Sequence, residues 1–119
     1  MESARLVDNA RRASDLLKAM SNERRLMILC YLATGEKSVG ELERMVGLSQ
    51  SALSQHLARL RRDGVVETRR SGQTIFYSLS GVEAQRVIET LYDLYCAPRP
   101  DAPGAASPAN GDAAAKSAP

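Results

Sequence analysis

The stretch Ser38-Val39-Gly40-Glu41-Leu42-Glu43-Arg44-Met45-Val46-Gly47-Leu48-Ser49-Gln50-Ser51-Ala52-Leu53-Ser54-Gln55-His56-Leu57 decides the fold. Ser38, followed three residues later by Glu41, reads as a capping box that opens a short helix ending near Met45, before Gly47. Ser49 caps the next helix, from Gln50 to about Asp63, and Gly64 stops it. Two short helices joined through Val46-Gly47-Leu48 make a helix-turn-helix. Glycine supplies the tight turn, Leu48 locks the helices together, and the second helix opens on polar side chains. On that helix Leu53, Leu57 and Leu60 form the buried face. Ser49, Gln50, Ser51, Ser54, Gln55 and His56 are left to meet base edges, where glutamine can bond adenine at two points. Arg59, Arg61 and Arg62 follow as candidates for phosphate. The plainer alternative is a polar surface helix in a small bundle.

The residues downstream separate the two readings. After Gly64 the period changes from helical to alternating. Val65–Arg70 and Thr74–Leu79 are rich in β-formers and flank Ser71-Gly72-Gln73, which predicts a β-hairpin. Arg69 and Arg70 lie just before its tip and Gln73 in its turn, where a wing grips the backbone or minor groove of flanking DNA. Upstream, Ser3 to Met20 is helical, with Leu6, Ala10, Ala13, Leu17 and Met20 on one stripe and Leu16 beside it. Ser21 is the expected N-cap of a second helix, Asn22 to about Ala33. Ser80 with Glu83 reads as another capping box, starting a last helix to about Cys96 on which Ala84, Val87, Ile88, Leu91 and Tyr95 share a face. The expected fold is mainly α with a β-hairpin wing, a winged helix-turn-helix of about five helices.

Composition sets the bounds. The chain has 119 residues, which fits one domain, read here as residues 1–96. All five prolines fall beyond it, in an Ala/Pro-rich segment, 97–119, that has no aliphatic side chain larger than alanine and reads as a disordered tail. The net charge of +2 is unevenly spread: residues 49–70 hold five arginines against two acids, while the rest of 1–96 is almost neutral. A local basic stripe suits a polyanion. The longest apolar run, Leu26–Ala33, is far too short to cross a membrane, and the first residues lack a signal-peptide core. The chain therefore reads as cytoplasmic, with its thiols reduced at rest. Two cysteines, Cys30 and Cys96, make neither a disulfide scaffold nor a complete zinc site.

Several segments resemble the ArsR family of winged-helix repressors. They are Leu16–Leu26, Ser38–Leu42, Ser51–Leu60 and the hairpin from Gly64 through Arg70 to Ile75-Phe76-Tyr77, and the likeness covers roughly residues 10–96. The resemblance implies a homodimer formed through the first and last helices. It also implies recognition of a palindromic operator in double-stranded DNA, and repression relieved by an inducer. Many relatives sense metals. The family's metal cysteines would fall at the start of the third helix, where this chain has Lys37, Ser38, Val39 and Gly40. A second family site needs Asp and His pairs on the last helix, whereas the one histidine here is His56. Metal sensing at those sites is disfavoured, and no cofactor or resident metal is expected.

Cys30 lies in the apolar run Leu29-Cys30-Tyr31-Leu32, where a small core filler is the ordinary reading. Cys96 ends the last helix, where packing thins. The pair, with Ile28-Leu29-Cys30 and Leu94-Tyr95-Cys96 around it, resembles the persulfide-responsive branch of the family, in which two such cysteines are the sensor. That resemblance implies a small persulfide or polysulfide inducer that cross-links Cys30 to Cys96. Peroxide or general thiol oxidation, or a metal at an unfamiliar site, remain as alternative inducers. A thiol-dependent enzyme is the competing class. It would need a CxxC pair or a histidine beside a cysteine, and the sequence offers neither.

Overall fold

Leu53, Leu57 and Leu60, spaced four and three apart, are all buried and seat the helix that carries them in the core. A computed structural model of the chain describes residues 3–96. In chain order these form α1 (Ser3–Met20), α2 (Glu23–Ala33), β1 (Lys37–Ser38), α3 (Val39–Val46), α4 (Gln50–Arg62), β2 (Val66–Ser71), β3 (Thr74–Leu79) and α5 (Val82–Tyr95). The five helices and the β2–β3 wing are those the sequence predicts. The Ala/Pro-rich segment lies outside the described residues.

The helix-turn-helix closes through local chemistry. The Ser38 side chain accepts from the Glu41 backbone N–H at 3.1 Å, and the Ser38 N–H donates to Glu41 Oε1 at 2.8 Å, so the capping box is complete. Gly47 ends α3 in the left-handed region, at φ 76°, which a side chain would strain. Ser49 then caps α4 by accepting from the Ala52 N–H at 3.2 Å. In the wing Gly72 takes φ 63° as the first of two turn residues, the position where a tight hairpin turn needs glycine. β2 and β3 pair antiparallel from Val66 opposite Leu79 to Ser71 opposite Thr74.

Three local expectations are corrected. Asn22, not Ser21, caps α2; its side chain accepts from the Arg24 and Arg25 N–H groups at 2.9 and 3.0 Å. Gly81 caps α5 and makes no side-chain cap bond, so Glu83 falls one position too early for a box with Ser80. The Ser80 N–H is instead spent on the Val65 carbonyl at 2.9 Å, which ties the start of α5 to the foot of the wing. Finally, a two-residue strand, β1, adds to the free edge of β3 with Lys37 opposite Tyr77, giving the sheet order β1-β3-β2.

The core runs from Ala19 and Met20 through Ile28, Leu29, Leu32, Leu42 and Val46 to the α4 leucines, Val65, Val66, Ala84 and Ile88. Helix α2 is its hub, packed against α1, α3, α4, α5 and β3. Arg25 fixes the α1–α2 corner. Its buried guanidinium donates to the Ala19 carbonyl at 2.6 Å and the Lys18 carbonyl at 3.4 Å, satisfying groups the end of α1 leaves open. Only the last turn of α1 is buried. Leu6, Val7 and Leu17, and on α5 Leu94 and Tyr95, are more than half exposed in a single chain, so most of the predicted α1 stripe finds no cover within it.

Candidate nucleic-acid interface and thiol groove

Helix α4 divides its polar residues between two faces. With the leucines turned inward, Gln50, Ser51, Ser54, Gln55, Ala58, Arg61 and Arg62 are exposed, and Ser49 stands exposed at the cap. Ala52, His56 and Arg59 lie half-buried along the flank that faces α2. At about 100° per residue, His56 sits only about 60° from Leu53, so the helical period alone sets it beside the buried stripe. Burial lowers the His56 pKa, and the positive charges of Arg25 and Arg24 lower it further, which keeps the ring neutral. Arg59 donates to Asp63 at 2.9 Å and its side chain is 39% exposed, whereas Arg62 makes only a looser 3.7 Å ion pair with the same carboxylate and its side chain is 71% exposed. Arg61 and Arg62 are thus better placed for phosphate than Arg59, and the same period could have ranked them ahead of it.

An open concavity of about 480 Å³ separates α4 from the wing sheet. Val39, Ser54, Leu57, Ala58 and Tyr77 line it, with Arg61 and Arg62 at its edge. On the wing, Arg70 and Gln73 are exposed, and among the described residues no carboxylate pairs with Arg70. Arg69 is held elsewhere. Its Nε and Nη2 donate to the two Glu36 carboxylate oxygens at 2.7 Å each, and its guanidinium carbon lies 4.5 Å from the Phe76 ring centre. That pair holds the Glu36 carboxyl below its ordinary range. Sequence spacing had no means of finding Glu36, which is 33 residues from its partner.

The two cysteines lie on α2 and at the end of α5, two helices that pack against one another. Cys30, on α2, and Cys96, at the C-cap of α5, are both half-buried and unbonded. Burial pushes the Cys30 thiol up from its usual value near 9.0, and the charge of Cys96 raises it again, so the two sulfurs lie within electrostatic reach. A groove of about 200 Å³ opens at Cys30 between the helices, lined also by Ala33, Thr34, Gln85, Ile88, Glu89, Tyr92 and Asp93. Gln85 straps its walls together, donating to the Ala33 carbonyl at 3.1 Å and to Glu89 Oε2 at 2.8 Å. The thiol state follows from this setting. Alkylation of Cys30 by iodoacetamide, followed by mass spectrometry, is expected to keep accelerating as pH rises past about 9, because the thiolate is the nucleophile. The unfolded chain should reach half its maximal rate near there. A folded-state midpoint at or below that of the unfolded chain contradicts the buried setting.

Among the described residues no three His, Cys, Asp or Glu side chains converge as a metal-holding group, and no helix is long and apolar enough to cross a membrane.

A helix-turn-helix with an open polar face, an adjoining basic wing and a three-stranded sheet defines a winged-helix DNA-binding regulator. Residues 22–68 match the model of the ArsR family of bacterial regulatory proteins. The transcriptional activator HlyU of Vibrio cholerae is 61% identical over 88 residues, which span 74% of this chain and 82% of that protein. The solved structure of its reduced form matches with a TM-score of 0.74 at 59% identity, covering 77% of this chain and 97% of that one. The transcriptional repressor BigR of Xylella fastidiosa matches with a TM-score of 0.73 at 43% identity, covering 82% and 99%. A homodimeric winged helix-turn-helix DNA-binding domain from Mycobacterium bovis matches at 0.69 with 30% identity, covering 78% and 86%. The chain belongs to the ArsR family of transcriptional regulators.

Proposed function

We propose that the chain is a homodimeric repressor that reads a palindromic operator and releases it when reactive sulfur species link Cys30 to Cys96. A second copy covers Leu6, Val7 and Leu17 of α1 and Leu94 and Tyr95 of α5, which are too large an apolar set to leave in water. In the dimer the two α4 helices enter major grooves one turn of DNA apart, about 34 Å. Ser49, Gln50, Ser51, Ser54 and Gln55 meet base edges, while Arg61, Arg62, Arg70 and Gln73 engage the backbone from helix and wing. His56 and Arg59 hold the α4 flank against α2.

The observation that supports the sensing reading is the packing of α2, which carries Cys30, against α5, which ends at Cys96, with both thiols half-buried and unbonded. One thiolate attacks a sulfane sulfur of a persulfide or polysulfide, expels the rest as thiolate or hydrosulfide, and becomes a cysteine persulfide. The second thiolate attacks the first cysteine's sulfur and expels hydrosulfide, closing a disulfide. Where two or more sulfurs remain on the first cysteine, attack at the inner one expels the outer fragment and closes a trisulfide. In each case the electron pairs of the two thiols end on the sulfur leaving groups. The bridge ties the end of α5 to α2, and α2 packs against α4, so a shift at the dimer face reaches the reading helices.

The test is DNA binding by the purified protein after treatment with polysulfide, peroxide or metal salts. Polysulfide alone is expected to release DNA, with the Cys30 and Cys96 peptides recovered as one species whose mass includes any inserted sulfur. Equal release by peroxide makes the protein a general thiol-oxidation sensor, and release by a metal with both thiols still free overturns the sulfur reading.

A further inference from the structure

Arg69 is the one wing arginine whose charge is already answered. Reaching a phosphate would cost it two charge-assisted bonds to Glu36 and the Phe76 face, and would leave a bare carboxylate beside the DNA. Phe76 stands directly opposite Arg69 in the β2–β3 ladder, so the guanidinium spans both strands of the wing. Glu36 sits outside the wing, between the end of α2 and β1. The segment that carries it is itself braced: Lys37 Nζ donates to Thr34 Oγ1 and to the Gly35 carbonyl, each at 2.9 Å, and Lys37 pairs opposite Tyr77 of β3. Ala33 and Thr34, three and two residues before Glu36, line the Cys30 groove.

We propose that Arg69 is a positioning residue: clamped by Glu36 and Phe76, it fixes the wing to the end of α2, and Arg70 and Gln73 are the wing residues that touch DNA. The clamp sets the angle at which those two exposed side chains leave the sheet. It also makes the α2–β1 loop a short mechanical route between the thiol groove and the wing. The inference rests on the DNA-binding reading above.

The experiment measures binding to a DNA duplex selected from random sequence, by fluorescence anisotropy across a salt series. Glu36→Gln, Arg69→Gln, Arg69→Lys and Arg70→Gln are compared, and thermal melts confirm that each is folded. For a clamp, Glu36→Gln and Arg69→Gln each weaken binding about three- to tenfold, the range of a well-formed exposed ion pair counted in two subunits. The double variant is no worse than either single one, and the slope of log affinity against log salt stays as in the wild type. Arg69→Lys keeps the charge but loses the fork, so it behaves like Arg69→Gln. Arg70→Gln weakens binding and flattens the slope by about 0.9 for each phosphate that is no longer neutralised.

If Arg69 is instead a phosphate ligand that Glu36 restrains, the signs reverse. Glu36→Gln then tightens binding, Arg69→Lys resembles the wild type, and Arg69→Gln flattens the slope; any of these overturns the clamp, as does a silent Glu36→Gln. Failure of the DNA-binding reading looks different: Arg70→Gln is then silent as well.

Discussion

A Cys30→Ser protein is expected to stay on its DNA under a polysulfide dose that lowers the wild-type affinity about 5- to 150-fold, the range of an ordinary coupling between two sites. Serine is close to cysteine in size, and Cys30 is half-buried at the edge of the core, so the variant should fold and bind DNA as the wild type does. What it lacks is the α2 half of the bridge. Cys96 can still collect sulfur, but a persulfide at the end of α5 with no thiol to close onto ties nothing to α2. Cys96→Ser should fail in the same way for the complementary reason. Anisotropy before and after treatment, with the mass of the modified protein, reads both steps. Release of the Cys30→Ser protein to the wild-type extent removes the bridge from the mechanism.

The largest effect on stability is expected from Leu53→Ala, a loss of about 3 kcal/mol and a fall in melting temperature of more than about 10 °C at matched protein concentration. Leu53 is fully buried and begins the leucine row that seats α4. Removing it opens a cavity beneath the recognition helix, and close packing lets the surroundings recover only part of the loss. The polar face is left chemically intact, since Ser51, Ser54 and Gln55 point outward. DNA binding well below the melting transition should therefore persist, with a larger ordering cost. Chemical denaturation measures the first part. A loss under about 1 kcal/mol means that α4 is not seated as described.

The relatives include both an activator and a repressor by name, on one fold. Whether a bound winged helix blocks or assists transcription depends on where its site lies, which the protein chain does not carry. The proposed DNA-reading face and the two thiols are properties of the chain. They are joined through α2, which packs against both α4 and α5.

By itself the sequence determined whatever is settled within about four residues of chain. The Ser38–Glu41 box, the Gly47 turn, the Ser49 cap, the leucine row of α4 and the glycine of the hairpin are local bonds or a local period, and each stands where its residues predict. The Asn22 and Gly81 caps show the margin of that reading, because two neighbouring residues compete and only the path of the chain selects one. The tertiary structure alone decided the long-range pairings. It brought Glu36 to Arg69, β1 to β3, Arg24 and Arg25 to the flank that carries His56, and α5, which ends at Cys96, against α2, which carries Cys30. These partners are 31 to 66 positions apart, and nothing local marks them. They meet because burying Ile28, Leu29 and Leu32 places α2 at the centre of the domain, against both α4 and α5.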